Sequence, residues 1–373
     1  MSPASIDVTV ARVTDFAALE ATWRDLETRS DPSFFQTWTW TGCLAEERFP
    51  DPILVEARED GRTVALALFN RDGRTLYLGE TGDPAIDGIY IEFNGVLTEP
   101  GREASLTTAC LRAARAGHGR WFPLAGSGRR RLVLGGVSAS TANWAAEAGH
   151  VRCIRSQSAP SVDLTDRGRC FLGSRSTNTR QQLRRSIRHF DALGDIVLHR
   201  AESLAQAHDY LDQLISLHQA SWIARGQPGA FATPFFGRFH RALIARGLER
   251  GEIDLLQVKA GAQTVGLLYN FRHRRHSLAY QSGFDYDSAG RHGKPGMTCH
   301  HEAIRFAAGW GAVSYEFLAG DDRYKRSLSD RAETLHWIEV ADQYSPDFLA
   351  RRAWDFLTSR RRFAAADPIG RPQ

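Results

Sequence analysis

Cysteine, lysine and long apolar runs are all scarce in this 373-residue sequence. Its five cysteines are scattered and none forms a C-x-x-C pair, so neither a disulfide framework nor a zinc knuckle is indicated, and buried free thiols are expected. No uncharged apolar stretch reaches the roughly 18 residues of a membrane-spanning helix. The first residues are charged and polar, which argues against a secretory signal. These absences predict a soluble, cytoplasmic protein.

Arginine supplies nearly all of the positive charge. Of 47 basic residues only Lys259, Lys294 and Lys325 are lysines, and the formal net charge is +4. Such a bias is typical of a genome-wide preference for arginine, so the arginine count alone does not indicate nucleic-acid binding. A retained lysine is of interest, because its compact ammonium differs from a planar guanidinium. The hydrophobic fraction of 42% predicts a globular protein, and the length of 373 residues predicts two compact domains or one large one.

Two parts of the chain resemble each other. Residues 53–66 and 254–267 align with a shift of 201 positions, and each reads as a strand, a turn with glycine and a second strand. An amphipathic helix precedes each segment, and a helical stretch follows each after a Pro-Gly pair, at Pro100 and at Pro295. The same order of elements twice predicts two copies of one α/β unit.

The second copy shows the clearer order of elements. Its patterns predict β-α-α-β-β-β-loop-α-β-α-β, an order that resembles the GNAT N-acyltransferase fold. The expected fold class is therefore α/β (α+β), a tandem GNAT fold with two similar mixed-sheet domains. The predicted division is a degenerate N-terminal GNAT-like domain over 1–155, an Arg-rich linker helix region over 156–195, a C-terminal GNAT acyltransferase domain over 196–345 and a basic amphipathic tail over 346–373.

Several short motifs make this resemblance more specific. They are Ala279–Asp285, Lys294–Gly296, Tyr315–Lys325, Leu217–Trp222, Gly226–Phe231 and Arg180–Arg185. Together they resemble the GNAT-related acyltransferase domain of CelD-like proteins of cellulose and exopolysaccharide biosynthesis, strongly from residue 160 to residue 345. The tandem architecture is also similar to that of the Fem peptidyltransferases, which use aminoacyl-tRNA instead of acyl-CoA. The resemblance implies an acyltransferase and defines the fold better than the substrate.

The resemblance also implies a binding loop for acetyl-CoA or a longer acyl-CoA before the helix near Pro295. Glycines let the backbone approach a phosphate, and the start of the helix offers free N–H groups to an anion. Arg291 and Lys294 add positive charge. The alternative is a solvated turn at the start of a helix. The expected cofactor-binding residues are Gln281, Ser282, Gly290, Arg291, His292, Gly293, Lys294 and Gly296.

Catalytic candidates follow the predicted strand that ends at Leu318. The resemblance implies that the hydroxyl of Tyr324 protonates the departing thiolate of CoA, and that Lys325 supports an anionic acceptor or the developing oxyanion. The alternative is that Tyr324 packs its ring and Lys325 is a surface charge. Asp321 is the first candidate for a base that deprotonates an amine. Other candidates for this base are Asp285, Glu316 and His218.

Substrate-binding candidates lie on two predicted helices. Arg180, Arg184 and Arg188 fall along one helical ridge, which suits a phosphorylated acceptor, although a linker helix with solvated arginines is the alternative. The resemblance places a second group where the first two helices of a GNAT domain cover the acceptor. Aromatic side chains there suit stacking on a sugar or covering an acyl chain, with core packing as the alternative. The candidates of the second group are Trp222, Gln227, Phe231 and Asp285.

Metal ions and nucleic acid are not expected partners. His300 and His301 are adjacent in a helix, so their side chains point about 100° apart and cannot hold one ion together. The arginine-rich stretch lacks the interleaved aromatics of RNA-binding motifs. The basic tail suits a peripheral membrane surface, a synthase or a signalling nucleotide, or it docks on the body of the protein.

These patterns together predict a cytoplasmic N-acyltransferase. The C-terminal copy would pass an acyl group from acyl-CoA to an amine of an amino sugar or exopolysaccharide precursor, bound in the cleft between the copies. Glu99 and Glu103 would repel a pyrophosphate from the N-terminal copy, so that copy is expected to be a degenerate scaffold. The alternatives are a non-catalytic effector module of a polysaccharide synthesis system and a Fem-like aminoacyl-tRNA-dependent transferase.

Overall fold

The computed structural model describes residues 6–83, 86–87, 89–116, 130–166, 171–290, 292–320 and 322–343. The predictions for Arg291, Asp321 and the tail over 346–373 lie outside these residues. The N-terminal repeat, residues 6–163, has two helices after its first strand and two more between its later strands. Its elements are β1 (Ile6–Arg12), α1 (Phe16–Thr28), α2 (Trp38–Arg48), β2 (Pro52–Glu59), β3 (Arg62–Asp72), β4 (Thr75–Leu78), β5 (Leu97–Thr98), α3 (Glu103–Ala116), β6 (Arg131–Ser138), α4 (Ala139–Ala146) and β7 (His150–Asp163).

A linker helix and the C-terminal repeat follow. The repeat, residues 196–341, has the order of strands and helices that the sequence predicts. Its elements, with the linker helix first, are α5 (Thr177–Asp191), β8 (Ile196–Arg200), α6 (Leu204–Ile223), α7 (Pro234–Gly247), β9 (Ile253–Ala260), β10 (Gln263–His273), β11 (His276–Phe284), α8 (Pro295–Gly309), β12 (Ser314–Glu316), α9 (Arg323–Leu328) and β13 (Arg331–Ala341).

The internal alignment is visible in the strands themselves. Strand β2 begins at Pro52 and β9 begins at Ile253, which are 201 residues apart, and the starts of β3 and β10 keep the same separation. Both pairs are antiparallel hairpins. The prediction of two copies of one α/β unit is confirmed.

Local signals explain where the helices of the C-terminal repeat begin. The hydroxyl of Ser203 accepts the N–H of Gln206 at 3.2 Å, which caps α6, and Oε1 of Gln206 accepts the N–H of Glu202 at 2.9 Å. Both α7 and α8 start with a proline, whose missing N–H costs nothing at that position. Helix α6 then packs closely on β11, since a Cβ on Gly283 would lie 2.4 Å from the carbonyl oxygen of Leu214.

The strands of the described residues form one continuous mixed sheet. Its order is β1-β2-β3-β4-β6-β13-β7-β12-β11-β10-β9-β8, with β5 paired to β3. Two neighbouring pairs are parallel, β4 with β6 and β11 with β12. The last strand of each repeat is exchanged, because β7 pairs with β12 of the C-terminal repeat and β13 pairs with β6 of the N-terminal repeat. Each repeat therefore completes the sheet of the other.

A shared aromatic core also joins the repeats. Phe34 of the N-terminal repeat stacks on Phe271 of β10 with ring centroids 4.1 Å apart, and Trp40 of α2 packs edge-on against Phe239 of α7 at 5.6 Å. All four rings are fully buried, and burying such a side chain is worth about 1.5–3 kcal/mol. The relative position of the two repeats, and of any cavity between them, is fixed by this core.

The described cysteines follow the prediction of buried thiols with one exception. Cys43, Cys110 and Cys299 are buried, whereas Cys153 is exposed. Cys153 lies on β7 opposite Ile338, in the exposed first half of that strand. The prediction was wrong there because the described residues leave the middle of this strand exposed.

Candidate active site

Two central strands separate in the C-terminal repeat. The parallel pairing of β11 with β12 ends at Leu278, opposite Glu316. Just beyond this point β11 carries one extra residue, Tyr280, in its pairing with β10. Such a bulge bends a strand, re-aims its side chains and is common beside active sites. The strands splay apart here, and a cavity lies in the opening.

This cavity has a volume of about 340 Å³ and is bordered by both repeats. It lies in the cleft where the sequence analysis expects the acceptor. The N-terminal repeat contributes Tyr90, Glu92, Arg155 and Gln157. The C-terminal repeat contributes His218, Ser221, Trp222, Arg225, Ala279, Tyr280, Gln281, Ser282, Phe284, Tyr286, His300, Phe317, Leu318, Ala319, Gly320, Asp322, Tyr324 and Lys325.

The equivalent opening of the N-terminal repeat is closed by its own chain. The parallel pairing of β4 with β6 ends at Leu78, and residues 89–95, here called the plug segment, lie beyond it. The side-chain amide of Asn94 donates to the carbonyls of Leu78 on β4 and Gly135 on β6, at 3.0 and 3.2 Å. A space of only about 10 Å³ remains beside Asn94. The plug segment thus ties together the two strands that are apart in the C-terminal repeat.

Glu92 of the plug segment reaches the open cavity of the other repeat. It is 2% exposed; its Oε2 accepts the N–H of Ala319, and the carbonyl of Ala319 accepts from Nζ of Lys325 at 2.9 Å. Burial raises the pKa of Glu92 to about 7, against the opposing effects of the Ala319 N–H and the Lys325 ammonium. Phe93 and Leu318, on either side of this contact, have left-handed φ angles of 48° and 59°. Such strain in non-glycine residues clusters at functional sites.

Tyr324 and Lys325 of α9 both reach the cavity. The ring of Tyr324 stacks on the imidazole of His300, with centroids 5.4 Å apart and planes 20° apart. Burial raises the pKa of the Tyr324 phenol well above its ordinary value, so the hydroxyl keeps its proton at neutral pH. Burial also lowers the pKa of Lys325, while the nearby Glu92 and Asp322 raise it. Lys325 is therefore a half-buried hydrogen-bonding group rather than a surface charge.

The loop before α8 approaches the linker helix closely. A Cβ on Gly293 would lie 2.2 Å from the carbonyl oxygen of Ala289, so only glycine fits there. The N–H of Lys294 donates to the hydroxyl of Ser186 on α5 at 2.8 Å. One of the free amides at the start of α8 is thus satisfied within the chain.

Other groups at the start of α8 remain available to an anion. The N–H groups of Gly296 and Met297 form no hydrogen bond with the described residues. His292 and Lys294 are exposed, and Gly290 has a left-handed φ of 58°. The start of α8 therefore carries two backbone amides without a partner, on the buried residues Gly296 and Met297, and one exposed ammonium group, a set that suits an anion.

Gln281 and Ser282 of β11 border the cavity, and Ser282 also fixes His218. The Nδ1–H of His218 donates to the carbonyl of Ser282 at 2.9 Å, and Nε2 accepts the N–H of Ala230 at 3.3 Å. Burial lowers the pKa of this histidine. Both ring nitrogens are occupied, one by β11 and the other by the loop between α6 and α7, so His218 is not available as a base.

A second chamber of about 350 Å³ adjoins the cavity, with Tyr90 and Trp222 on the border of both. Trp222 and Gln227 lie at this chamber, and Arg225 covers the ring of Trp222 at 4.6 Å. Phe231 does not border it but packs against Phe236 with ring centroids 4.8 Å apart. The residues around the second chamber are Ile86, Tyr90, Trp222, Gln227, Pro228, Gly229, Ala230, Thr233, Phe235 and Phe236.

Asp285 shapes a turn rather than the cavity. Its Oδ1 accepts the N–H of Ser288 at 3.0 Å, and its Oδ2 accepts from the amide of Gln263 at 3.4 Å. Glu316 on β12 also lies outside the cavity. Its Oε1 lies 3.9 Å from Nδ1 of His276. Neither carboxylate is therefore placed to deprotonate an amine held between the repeats.

The arginine ridge of α5 lies away from the cavity. Arg180 donates to the carbonyls of Gly173 and Arg175, both at 3.1 Å, and Nε of Arg188 donates to the carbonyl of Arg184 at 3.4 Å. None of Arg180, Arg184 and Arg188 borders the cavity. The helix is instead anchored on α8.

The two adjacent histidines of α8 face different surroundings. His300 contacts Tyr315 and Tyr324, whereas the ring of His301 lies 5.8 Å from that of Phe171. Among the described residues, no three His, Cys, Asp or Glu side chains converge as a metal site would require. In the same residues, no helix combines the length and the apolar character needed to cross a bilayer.

Sequence reasoning missed the residues that the N-terminal repeat brings to the cavity. Glu92 is a lone carboxylate in the apolar stretch from Ile89 to Phe93, a pattern that marks a buried charge. This pattern was the signal in the sequence from which the burial of Glu92 could have been predicted. Its partner Ala319 is 227 positions away, and no local periodicity predicts such a pairing.

Comparison with known proteins agrees with this architecture. Residues 177–326 match the family model described as Acetyltransferase (GNAT) domain. No curated protein matches the chain. A solved structure titled as FemX is 10% identical and has a TM-score of 0.59, with 90% of this chain and 98% of that chain covered.

Two further solved structures are similar over nearly their whole lengths. One is the C-terminal domain (DUF2156) of a lysylphosphatidylglycerol synthetase from Agrobacterium fabrum, with 13% identity, a TM-score of 0.56, and coverage of 92% of this chain and 97% of that chain. The other is L-PGS from Bacillus licheniformis, with 11% identity, a TM-score of 0.55, and coverage of 93% and 96%. At these identities the likeness concerns the fold alone. The CelD-like type stays a prediction, whereas the chain has a tandem GNAT fold whose second repeat matches a GNAT-type acetyltransferase domain.

Proposed function

We propose that the protein is an N-acyltransferase that moves an acyl group from acetyl-CoA, or a longer acyl-CoA, to an amine held between the repeats. One observation carries the proposal. The open splay of β11 and β12 holds a cavity with Glu92 on one wall and Tyr324 on another. The pKa of Glu92 is raised to about 7 and that of Tyr324 lies far above neutrality. Two groups with such separated pKa values suit a base and an acid.

The start of α8 suits the pyrophosphate of the donor. The free N–H groups of Gly296 and Met297 and the ammonium of Lys294 would hold it. From there the thioester would extend along the edge of β11 that no longer pairs with β12. Gln281 on that edge borders the cavity and would contact the donor.

Glu92 would accept the proton of the attacking amine. A carboxylate whose pKa lies near the working pH is an efficient base, and Glu92 reaches the cavity while Ala319 and Lys325 hold it in place. As the amine attacks, the N–C bond forms and the amine proton passes to Glu92. The acidic limb of the rate profile should therefore lie near pH 7.

Tyr324 would complete the reaction. When the tetrahedral intermediate collapses, the C–S bond breaks and the thiolate takes a proton from the Tyr324 hydroxyl. Burial keeps the proton on the hydroxyl until the thiolate forms, and burial in the same cavity also raises the basicity of the thiolate, which then takes the proton. The hydroxyl is then reprotonated from solvent through the cavity.

The second chamber would hold the body of the acceptor. Trp222, Tyr90 and Phe235 give it aromatic walls, which suit the apolar face of a sugar ring. No charged residue is among the described residues around it. An amino sugar or an exopolysaccharide precursor would fit, with any phosphate outside this chamber, toward Arg155 and Arg225.

Thiol release from acetyl-CoA in the presence of a panel of amino sugars tests the proposal. We expect the wild-type protein to turn over at least one of these amines. In Glu92→Gln the rate should fall about 10²–10⁴-fold, and the acidic limb of the pH–rate profile should disappear. Glu80→Gln is a matched control, since burial raises the pKa of Glu80 to about 7 as well but Glu80 does not border the cavity. No thiol release with any amine, or normal turnover in Glu92→Gln, would contradict the proposal.

One observation favours a second candidate donor, an aminoacyl-tRNA of the Fem-like kind. Ser186 of the arginine-rich helix α5 already occupies one amide at the start of α8, which leaves less of that site to CoA. A basic helix beside the site suits a polyanionic donor. A donor of this kind would leave acetyl-CoA unbound in a thermal-shift assay while the same amines are acylated from aminoacyl-tRNA.

A further inference from the structure

His300 on α8 is a buried imidazole at the wall of the cavity. It is 2% exposed, and its Nδ1 lies 2.9 Å from the hydroxyl of Tyr315. Its Nε2 is buried and has no hydrogen-bond partner. Buried polar atoms of native proteins are nearly always paired, so an unpaired one at a cavity wall indicates a group that pairs with a ligand.

The neighbours of His300 determine which nitrogen carries the proton. The side-chain amide of Asn270 donates to the Tyr315 hydroxyl oxygen at 3.4 Å. With the amide in this orientation, the hydrogen of that hydroxyl is directed at Nδ1 of His300, which accepts it. The neutral imidazole then has its proton on Nε2, which is buried and has no partner, on a ring that borders the cavity.

The surroundings also keep the ring neutral. Burial and the ammonium of Lys325 lower the pKa of His300 to about 3. The imidazole therefore presents a neutral N–H donor over the physiological range, and it does not act as a titrating acid or base.

Two other buried histidines show how unusual this arrangement is within the described residues. His218 uses both nitrogens in hydrogen bonds to the backbone. His240 has two unpaired nitrogens, but it lies among aromatic rings such as Phe236 and Tyr269 and does not border the cavity. His300 alone of these three combines an unpaired nitrogen with a place at the site.

We propose that the Nε2–H of His300 donates a hydrogen bond to the carbonyl oxygen of the acyl donor and stabilises the oxyanion of the tetrahedral intermediate. This inference rests on the proposed acyl transfer. As the N–C bond forms, the carbonyl electron pair moves to oxygen, and the resulting charge is held by the Nε2–H, which keeps its proton. Collapse then restores the C=O bond as the C–S bond breaks.

The position of Tyr324 supports this assignment. Oxygen and sulfur of a thioester are bound to the same carbon, so a donor to the oxygen and an acid for the sulfur must lie side by side. The rings of His300 and Tyr324 are stacked 5.4 Å apart on one wall of the cavity. Glu92, the proposed base, reaches the same cavity from the other repeat.

Steady-state kinetics with acetyl-CoA and the best amine of the panel test the role of His300. We expect kcat to fall about 10²–10³-fold in His300→Phe, with the KM for acetyl-CoA and the acidic limb near wild type. His300→Gln, which keeps a donor, should recover part of the loss. Tyr315→Phe should give a smaller loss of kcat, since it removes the hydrogen bond to Nδ1 of His300 but keeps the imidazole ring. His240→Phe is the matched control, with unchanged kcat expected. Normal kcat in folded His300→Phe would overturn the inference.

A measurement without turnover separates this inference from the proposed function. Histidine-selective ¹⁵N NMR should show one imidazole with its proton on Nε2 that does not titrate between pH 5 and pH 8 and is missing in His300→Gln. Its Nε2–H signal should shift on addition of acetyl-CoA but not of CoA, which lacks the acyl carbonyl. A proton on Nδ1, or no shift while calorimetry shows that acetyl-CoA binds, would overturn the role of His300. Failure of acetyl-CoA to bind at all would instead overturn the proposed donor, and the inference with it.

Discussion

The two repeats have the same strand order but treat the same opening differently. In the N-terminal repeat the plug segment fills the gap beyond β4, and Asn94 bridges Leu78 and Gly135. In the C-terminal repeat a bulge at Tyr280 keeps β11 and β12 apart, and a cavity of about 340 Å³ remains. The opening between the two parallel strands of a repeat is thus closed by a few residues, without any change to the strand order.

The closed repeat is more than a scaffold. Its plug segment also carries Glu92 and Tyr90, which border the open cavity of the other repeat. The expectation of a purely scaffold-like N-terminal copy was therefore too simple. The residues that close one site help to build the other, so mutations in the plug segment should affect both stability and turnover.

The largest expected effect comes from the open repeat. Tyr324→Phe removes a proton donor but keeps the ring that stacks on His300, so kcat should fall about 10²–10⁴-fold while thermal stability stays near wild type. The acidic limb set by Glu92 should remain, because Tyr324 keeps its proton across the working pH range. Tyr77→Phe on β4 makes the matched change in the closed repeat and should leave kcat unchanged. Normal turnover in Tyr324→Phe would remove the residue from the mechanism.

The raised pKa of Glu92 predicts a stability that depends on pH. Because the pKa is about 7 in the folded protein and 4.5 in the unfolded chain, the unfolded state releases its proton first. The free energy of unfolding should therefore fall as pH rises from 4.5 to 7, by about 2–3 kcal/mol. Glu92→Gln should remove this contribution and reduce the pH dependence in urea titrations at pH 5 and pH 8, while the similarly raised pKa of Glu80 keeps part of it in the variant. An unchanged slope would show that the carboxylate is better solvated than its burial indicates.

A smaller effect is expected from opening the plug. Asn94→Ala leaves two buried carbonyls without their donor, so the free energy of unfolding should fall by about 1–3 kcal/mol in urea titrations. The acidic limb of the pH–rate profile should also become less pronounced, because Glu92 lies only two residues from the substituted position. Asn178→Ala, on the exposed face of α5, is the control. A stable variant with full turnover would show that the plug is held by Ile89 and Ile91 instead.

Charge reversal at the start of α8 tests the donor site. Arg291→Glu together with Lys294→Glu should abolish the rise in melting temperature that acetyl-CoA gives, since a ligand of the folded state stabilises it by mass action. Lys259→Glu on β9 controls for the loss of a lysine. A shift that survives the double reversal would place the pyrophosphate elsewhere.

The smallest effect is expected from the arginine ridge. Replacing Arg180, Arg184 and Arg188 with Gln should leave the acceptor KM within about twofold, because none of them borders the cavity and exposed charges contribute little. A large rise in KM would show that a phosphorylated acceptor extends to α5. A large rise in KM with an aminoacyl-tRNA donor alone would favour the second candidate donor.

The sequence predicted the fold well for a local reason. Alternation and helical spacing are properties of neighbouring residues, and the duplicated hairpins gave the same pattern twice. Tyr324 and Lys325, which border the cavity, could be singled out because their motif lies in one continuous stretch, and their catalytic roles stay predictions. The placement of Glu92 was not predictable in this way, since its contact with Ala319 joins the two repeats. His300 was considered only as a metal ligand, and its role depends on Tyr315 and Asn270, which are distant in sequence.

The exchange of the last strands has a consequence for how the molecule comes apart. A chain cut in the linker before α5 would yield two pieces, each with its final strand belonging to the sheet of the other. Neither piece alone could satisfy the backbone groups along β6 or β12, and each would expose a long unpaired edge prone to association. The two pieces should therefore be insoluble when produced singly and should restore a working protein when produced together, and the intact chain should unfold in one cooperative transition rather than two.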